Sequence, residues 1–185
     1  TQLEQMGTFS RGHSDTEVFL ELIAAEGPAA ACAAVNGMFA FGLWDRAEHQ
    51  LFLGRDRIGE KPLYCGQVGS SFVFASELGA IRRVPGARTA PDPAAVADYL
   101  RFGFVPAPRS ILPGIGKLPA GTLLRVDRAG AGEPIPYWRL QEIAQRGLAD
   151  RLMLSDAELV ELADTMLKDA VRLRLTSDAP VGAFL

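Results

Sequence analysis

The sequence predicts an α+β fold, with antiparallel strands in layers and helices outside them. Two observations carry this. Apolar runs separated by turn signals fill residues 38–126, the signature of hairpins. Capping-box signatures, each followed by a helical stripe, stand near both ends of the chain, at Ser14 and Ser155. The strands suit a layered αββα arrangement.

Ser14-Asp15-Thr16-Glu17 has the S-x-x-E form, and Val18, Phe19, Leu22 and Ile23 follow on one stripe until Gly27-Pro28 ends the helix. Pro28 suits the first turn of a second helix reaching Ala34. Asn36-Gly37 is a turn, and Met38 to Trp44 is apolar on both faces, as in a strand buried on both sides. Asp45 to Gln50 is polar, and Leu51 to Gly54 returns as the second arm of a hairpin. Arg55 to Tyr64 is a loop shaped by Gly59 and Pro62. Gly66 to Ser71 reads as a turn and Phe72 to Ala75 as another buried strand. Phe39, Phe41, Leu43, Leu51 and Phe74 are thus expected in the core.

Ser76-Glu77 opens a short helix ending near Arg82, and Pro91-Asp92-Pro93 opens another with Val96, Tyr99 and Leu100 on one face. Residues 102–121 are rich in proline and glycine and read as an extended crossing. Leu123 to Val126 is a last short strand, and Asp127 to Ile135 a polar turn. Beyond Trp138 the pattern is helical: Ser155 and Glu158 form a second capping box ahead of a stripe through Leu159, Leu162, Met166 and Val171. Val181 to Leu185 reads as the opening of a buried strand. A domain boundary falls between Asp127 and Ser155.

The composition bounds the function. Of 185 residues, 48% are apolar and 22% charged, which is ordinary for a globular chain and excludes wholesale disorder. The net charge of −3 leaves no electrostatic footprint for nucleic acid. The uncharged stretch over 27–43 is broken by Pro28, Asn36 and Gly37 and falls short of the ~20 apolar residues a membrane span needs. Two cysteines make neither a disulfide framework nor a metal pattern, so a cytoplasmic setting is expected. The chain lacks an initial Met and ends on small and apolar residues, which reads as an internal piece of a longer protein.

Among polar clusters, Ser14 and Glu17 have a capping role open to them, while Asp15 lies where a first-turn carboxylate can face a cleft and hold an ammonium group. His13 reads as surface. Arg55-Asp56-Arg57 reads as a salt-bridged loop anchor, and Lys61 as facing solvent. Ser76-Glu77 reads as a cap. Cys32 reads as core, and neither it nor Cys65 has the cationic neighbours that activate a thiol. Thr1 is weighed as an N-terminal nucleophile, but it leads into what looks like a helix fragment and not into a buried strand.

Several runs, in order, carry a resemblance: His13 to Val18, Asn36 to Phe41 with Trp44-Asp45, Arg55 to Tyr64, Phe72 to Glu77, Phe104 to Ser110, Lys117 to Gly121, Tyr137-Trp138, and Ala179 to Leu185. Together they resemble the glutamine-hydrolysing asparagine synthetases over nearly the whole chain. The resemblance implies an αββα N-terminal-nucleophile glutaminase domain over 1–127, a linker over 128–154, and the first helix and strand of an ATP-dependent α/β synthetase domain over 155–185. It implies Asp15 as the ligand of the glutamine α-amino group and Leu185 as the residue bordering the adenine nucleotide. It also implies glutamine, aspartate and ATP as substrates, with ATP and Mg2+ used by the parent enzyme and neither held tightly here.

No catalytic residue and no metal ligand is carried over. The family's N-terminal Cys, the Arg for the glutamine carboxylate, the Asn-Gly oxyanion segment and the Ser-Gly-Gly phosphate loop have no counterparts in this sequence, so the chain alone is expected to be inactive. An amidotransferase of the same fold with another acceptor, and a non-catalytic scaffold domain, remain alternative readings. The apolar stripe after Ser155 is expected to drive self-association, a homodimer included.

Overall fold

The computed structural model describes residues 14–175 and 179–182. The chain divides into two compact units, one ending at Leu140 and the other starting at Gln141.

In the first unit, helix α1 (Asp15–Glu26) and helix α2 (Pro28–Ala34) share Gly27 as a joint. Its φ of 83°, open to glycine, lets its N–H reach the Ile23 carbonyl at 2.8 Å while the chain turns into Pro28. Strands β1 (Ala40–Asp45) and β2 (Gln50–Arg55) form the expected antiparallel hairpin. Its turn is built on Asp45, whose carboxylate accepts the Ala47 and Glu48 N–H groups at 2.9 and 3.0 Å. Strands β3 (Tyr64–Val68) and β4 (Ser71–Ala75) form a second hairpin, followed by helix α3 (Leu78–Ile81) and helix α4 (Pro93–Phe102), capped by Asp92. Strand β5 (Ile115–Lys117) pairs with β3. Strand β6 (Thr122–Asp127) pairs with β2 and carries the short strands β7 (Gly130–Ala131) and β8 (Ile135–Pro136).

Two antiparallel sheets result, one ordered β1-β2-β6-β7 with β8 also on β6, the other β4-β3-β5. Side-chain alternation assigns the layers. Leu53, Leu124 and Val126 of the first sheet meet Cys65 and Phe72 of the second, with Leu63 and Leu118 between. On the outer face of the first sheet, Phe41 and Leu43 pack against Phe19, Leu22, Ile23 and Ala31 of α1 and α2. On the outer face of the second, Tyr64, Val68 and Val73 pack against Leu78 and Ile81 of α3. The order is helices, sheet, sheet, helix.

The structure corrects several expectations. The deepest side chains are Leu53 and Leu118, not the phenylalanines: Phe39, Phe41, Leu43 and Leu51 are half-buried, and Phe74 is 42% exposed. Among the described residues β1 and β4 are edge strands, so each lacks a strand neighbour on one side. Phe74 lies over Gly42, where a Cβ would stand 2.7 Å from its ring, so a residue without a side chain is its cover. Gly66 belongs to a strand and not a turn; a Cβ there would lie 2.1 Å from the Gly114 carbonyl oxygen. The turn falls at Gly69. The crossing over 102–121 contains β5, too short to show a period.

The second unit holds most of helix α5 (Leu140–Ala149), which the sequence reading left within a linker, and helix α6 (Asp156–Arg174). The Ser155 capping box is formed: Ser155 N donates to the Glu158 carboxylate at 2.8 Å, and Glu158 N to Ser155 Oγ at 3.4 Å. Every described residue from Gln141 onward is exposed. Of the strand expected over Val181 to Leu185, residues 183–185 lie outside the described residues, while Val181 is 53% exposed and not in a strand. Among the described residues no helix is long and apolar enough to cross a membrane.

Candidate substrate-binding site

Asp15 is the first residue of α1, and its side chain is exposed. Its carboxylate accepts the Thr16 N–H at 2.7 Å and the Thr16 hydroxyl at 3.3 Å. Ser14 occupies the N-cap position with extended backbone, but its side chain makes no capping bond. The Ser14 half of the expected capping box is therefore not formed, and the Thr16 N–H is taken by Asp15 instead. A carboxylate at a helix N-terminus is favoured by the helix dipole and, being exposed, can accept an ammonium ligand as a charge-assisted contact.

The helix bearing Asp15 is seated by rings. Phe19, one turn further on, meets Phe39 at 5.1 Å and the edge of Phe41 at 5.3 Å between centroids. Phe39 is held in turn by Asp56, which is 1% exposed. Asp56 N donates to the Phe39 carbonyl at 2.9 Å, and the Asp56 carboxylate accepts Phe39 N at 3.3 Å, Glu60 N at 2.9 Å and Lys61 N at 3.0 Å. The flanking arginines grip main-chain carbonyls. Arg55 donates to Lys61, Leu118 and Gly59, and Arg57 to Ala33 at the end of α2. The 55–57 tripeptide is thus an anchor, as read from the sequence, made through backbone groups and not through the expected salt bridges. Lys61 is exposed.

Two residues that the sequence reading named only within resemblance runs, with no role assigned, belong to this anchor. The Tyr137 hydroxyl donates to the Arg55 carbonyl at 2.8 Å, and burial, then the nearby Cys32 and Asp56, push its phenol well above the ordinary range. Lys117 donates from its ammonium to the Val105 carbonyl, and burial with the nearby Arg55 charge lowers its pKa. No local pattern marks either contact, because each joins segments apart in sequence. Cys32 is fully buried, and burial pushes its thiol up to about 12; burial also raises Cys65. A thiol that stays protonated is no nucleophile.

Ser76-Glu77 precedes α3, with Glu77 at the N-cap position making no side-chain capping bond. Thr1, His13 and Leu185 lie outside the described residues. Among the described residues no group of His, Cys, Asp and Glu could hold a metal ion. Two clefts lie away from Asp15. One of about 240 Å³ is bordered by Gln67, Arg88 and Leu112, and one of about 330 Å³ by Trp44, His49 and Arg128.

Comparison with known proteins agrees with this architecture. The family described as the glutamine amidotransferase domain matches residues 1–138. A Methanocaldococcus jannaschii protein provisionally named asparagine synthetase (glutamine-hydrolyzing) 2 is 34% identical over 176 residues, 93% of this chain and 32% of its own length. The Bacillus subtilis protein named asparagine synthetase (glutamine-hydrolyzing) 3 is 32% identical over 182 residues, covering 95% of this chain and 28% of its own. The chain thus spans about a third or less of the curated relatives it matches. Among solved structures, the glutamine phosphoribosylpyrophosphate amidotransferase of B. subtilis, complexed with ADP and GMP, superposes with a TM-score of 0.51 at 21% identity, over 74% of this chain and 25% of that one. That likeness bears on the fold alone, a layered arrangement of helices and sheets.

Proposed function

The chain belongs to the glutamine amidotransferase domain family, and from that premise we propose that it is part of an asparagine-synthetase-like enzyme that hydrolyses glutamine and transfers the ammonia to an ATP-activated aspartate. One observation carries the choice within the family. The relatives named as glutamine-hydrolysing asparagine synthetases match 93% and 95% of the chain, so the likeness runs past the amidotransferase domain into the second unit.

In this reading residues 1–127 belong to the glutaminase domain, 128–154 connect, and 155–185 open the synthetase domain. Asp15 holds the α-ammonium of glutamine and sets the register of its amide. It breaks no bond. The nucleophile comes from outside this chain, as do the groups that stabilise the oxyanion. ATP and Mg2+ belong to the second reaction, where they supply an activated carboxyl group. Leu185 is proposed to border the nucleotide, and the described residues themselves offer no metal-ligand cluster for it.

The test uses the full-length protein with aspartate and Mg-ATP. Asparagine should form with either glutamine or ammonium as nitrogen donor, and glutamate should appear only with glutamine. Glutamate release without asparagine would instead point to another acceptor, and no glutamate at all would sink the amidotransferase reading.

A further inference from the structure

Tyr137 lies three residues before α5 begins, at the point where the chain leaves the first unit. It is tied to the 55–56 turn twice. Its hydroxyl donates to the Arg55 carbonyl at 2.8 Å. Its N–H donates to the Gly121 carbonyl at 2.9 Å, and Gly121 N donates at 2.8 Å to the Asp56 carbonyl. Trp138 N shares the same Gly121 acceptor at 3.2 Å. The seat requires glycine: residue 121 has φ of 64°, and a Cβ there would lie 2.6 Å from the Trp138 carbonyl oxygen.

From Asp56 the contacts continue to Phe19, on the helix that carries Asp15. Asp56 grips Phe39 on both its N–H and its carbonyl. The Phe39 ring meets Phe19 at 5.1 Å. Phe19 lies four residues after Asp15 on α1, so both project from one face of that helix, one turn apart. Arg57 secures the second helix of the pair through the Ala33 carbonyl at 2.8 Å.

We infer that Tyr137 is a positioning residue for the glutamine pocket, acting through the Arg55–Asp56 turn and the Phe39–Phe19 ring contact on the helix that carries Asp15. The inference rests on the reading of Asp15 as the ligand of the glutamine amino group. It makes the exit segment of the first unit part of the machinery that places that carboxylate. The phenol is suited to this task because it is a protonated donor at neutral pH, and burial pushes its pKa further up.

The experiment is Tyr137→Phe in the full-length protein, which deletes one hydroxyl and keeps the ring. Glutamine-dependent and ammonium-dependent product formation are measured side by side, with KM and kcat resolved. The expected result is a rise of about two- to tenfold in the glutamine KM, the range one hydrogen bond commands, with the ammonium-dependent reaction unchanged. Phe39→Leu, which loosens the ring contact without touching Tyr137, should give the same split. An unchanged glutamine KM in Tyr137→Phe overturns the inference. So does a parallel loss of both reactions together with a lowered melting temperature, since that is what a purely structural staple produces. If the unsubstituted protein releases no glutamate from glutamine, the amidotransferase reading falls first and this inference with it.

Discussion

At the residue scale, a buried carboxylate and an exposed one do opposite work. Asp56 is enclosed, and its carboxylate accepts from three N–H groups of its own unit. Asp15 is exposed and bonds only within its own turn among the described contacts, to Thr16. Replacing Asp56 by Ala strands those donors in a buried place, at about 1–3 kcal/mol for each unsatisfied group, so a loss of several kcal/mol is expected in denaturant unfolding; a shift below about 1 kcal/mol would show that water replaces the carboxylate at no cost. Asp15→Asn should lower stability by no more than about 1 kcal/mol, since the amide oxygen can still accept from Thr16 and only the charge at the helix N-terminus is lost. In the full-length protein it should raise the glutamine KM and spare the ammonium-dependent reaction, which bypasses the glutamine pocket. If both reactions fall together, the carboxylate serves the helix and not the ligand. The place of Asp15 in the first turn of a helix was legible in the sequence because a helix start is a local pattern. Tyr137 and Lys117 were not, because their partners are residues 55 and 105, and only the folded chain brings them together.

At the element scale, legibility followed length and local chemistry. The hairpin over residues 40–55 and the helix after Ser155 were readable, the one from alternation around a polar turn and the other from its capping box. Strand β5 was not, being three residues inside a proline-rich crossing and stabilised by pairing with a partner some fifty residues away in sequence. Helix α5 was passed over because its apolar residues find nothing to pack on within the described unit, so the periodicity has no burial to confirm it. The capping box makes α6 sensitive to acid in a predictable direction. Bonds from the Ser155 hydroxyl and N–H lower the Glu158 pKa below its usual value of 4.5. A depressed carboxylate contributes stability that is present above the unfolded value and is lost as the pH falls through the folded one. Circular dichroism should therefore show helix loss on acidification in that range, and Glu158→Gln should start with less helix at neutral pH and lose less on acidification. Identical acid profiles for the two proteins would remove the capping box from the account.

At the scale of the whole molecule, the two units differ in how they bury apolar surface. The first unit encloses Leu53, Leu118 and Ile81 almost completely between and outside its sheets. Truncating Leu53, which is 0% exposed, should cost about 2–5 kcal/mol, and a much smaller loss would mean that the sheets close over the gap. The second unit buries none of its described residues: along α6, Leu159 and Leu162 are 38% and 37% exposed, and Met166, Leu167 and Val171 are 64%, 67% and 56%. Its surface ion pairs, Lys168 with Asp164 and Arg172 with Asp169, are exposed and contribute little to holding a lone helix. Helices in proteins draw most of their stability from packing an apolar face, so the stripe gains from any apolar cover. The chain as given should therefore self-associate as its concentration rises, with sedimentation velocity showing growing species beyond the monomer. Leu162→Glu together with Met166→Glu places charges in the stripe without touching the first unit, and should return the chain to a monomer while leaving its cooperative unfolding transition in place. A native chain that stays monomeric at high concentration would show that the stripe is covered within its own molecule.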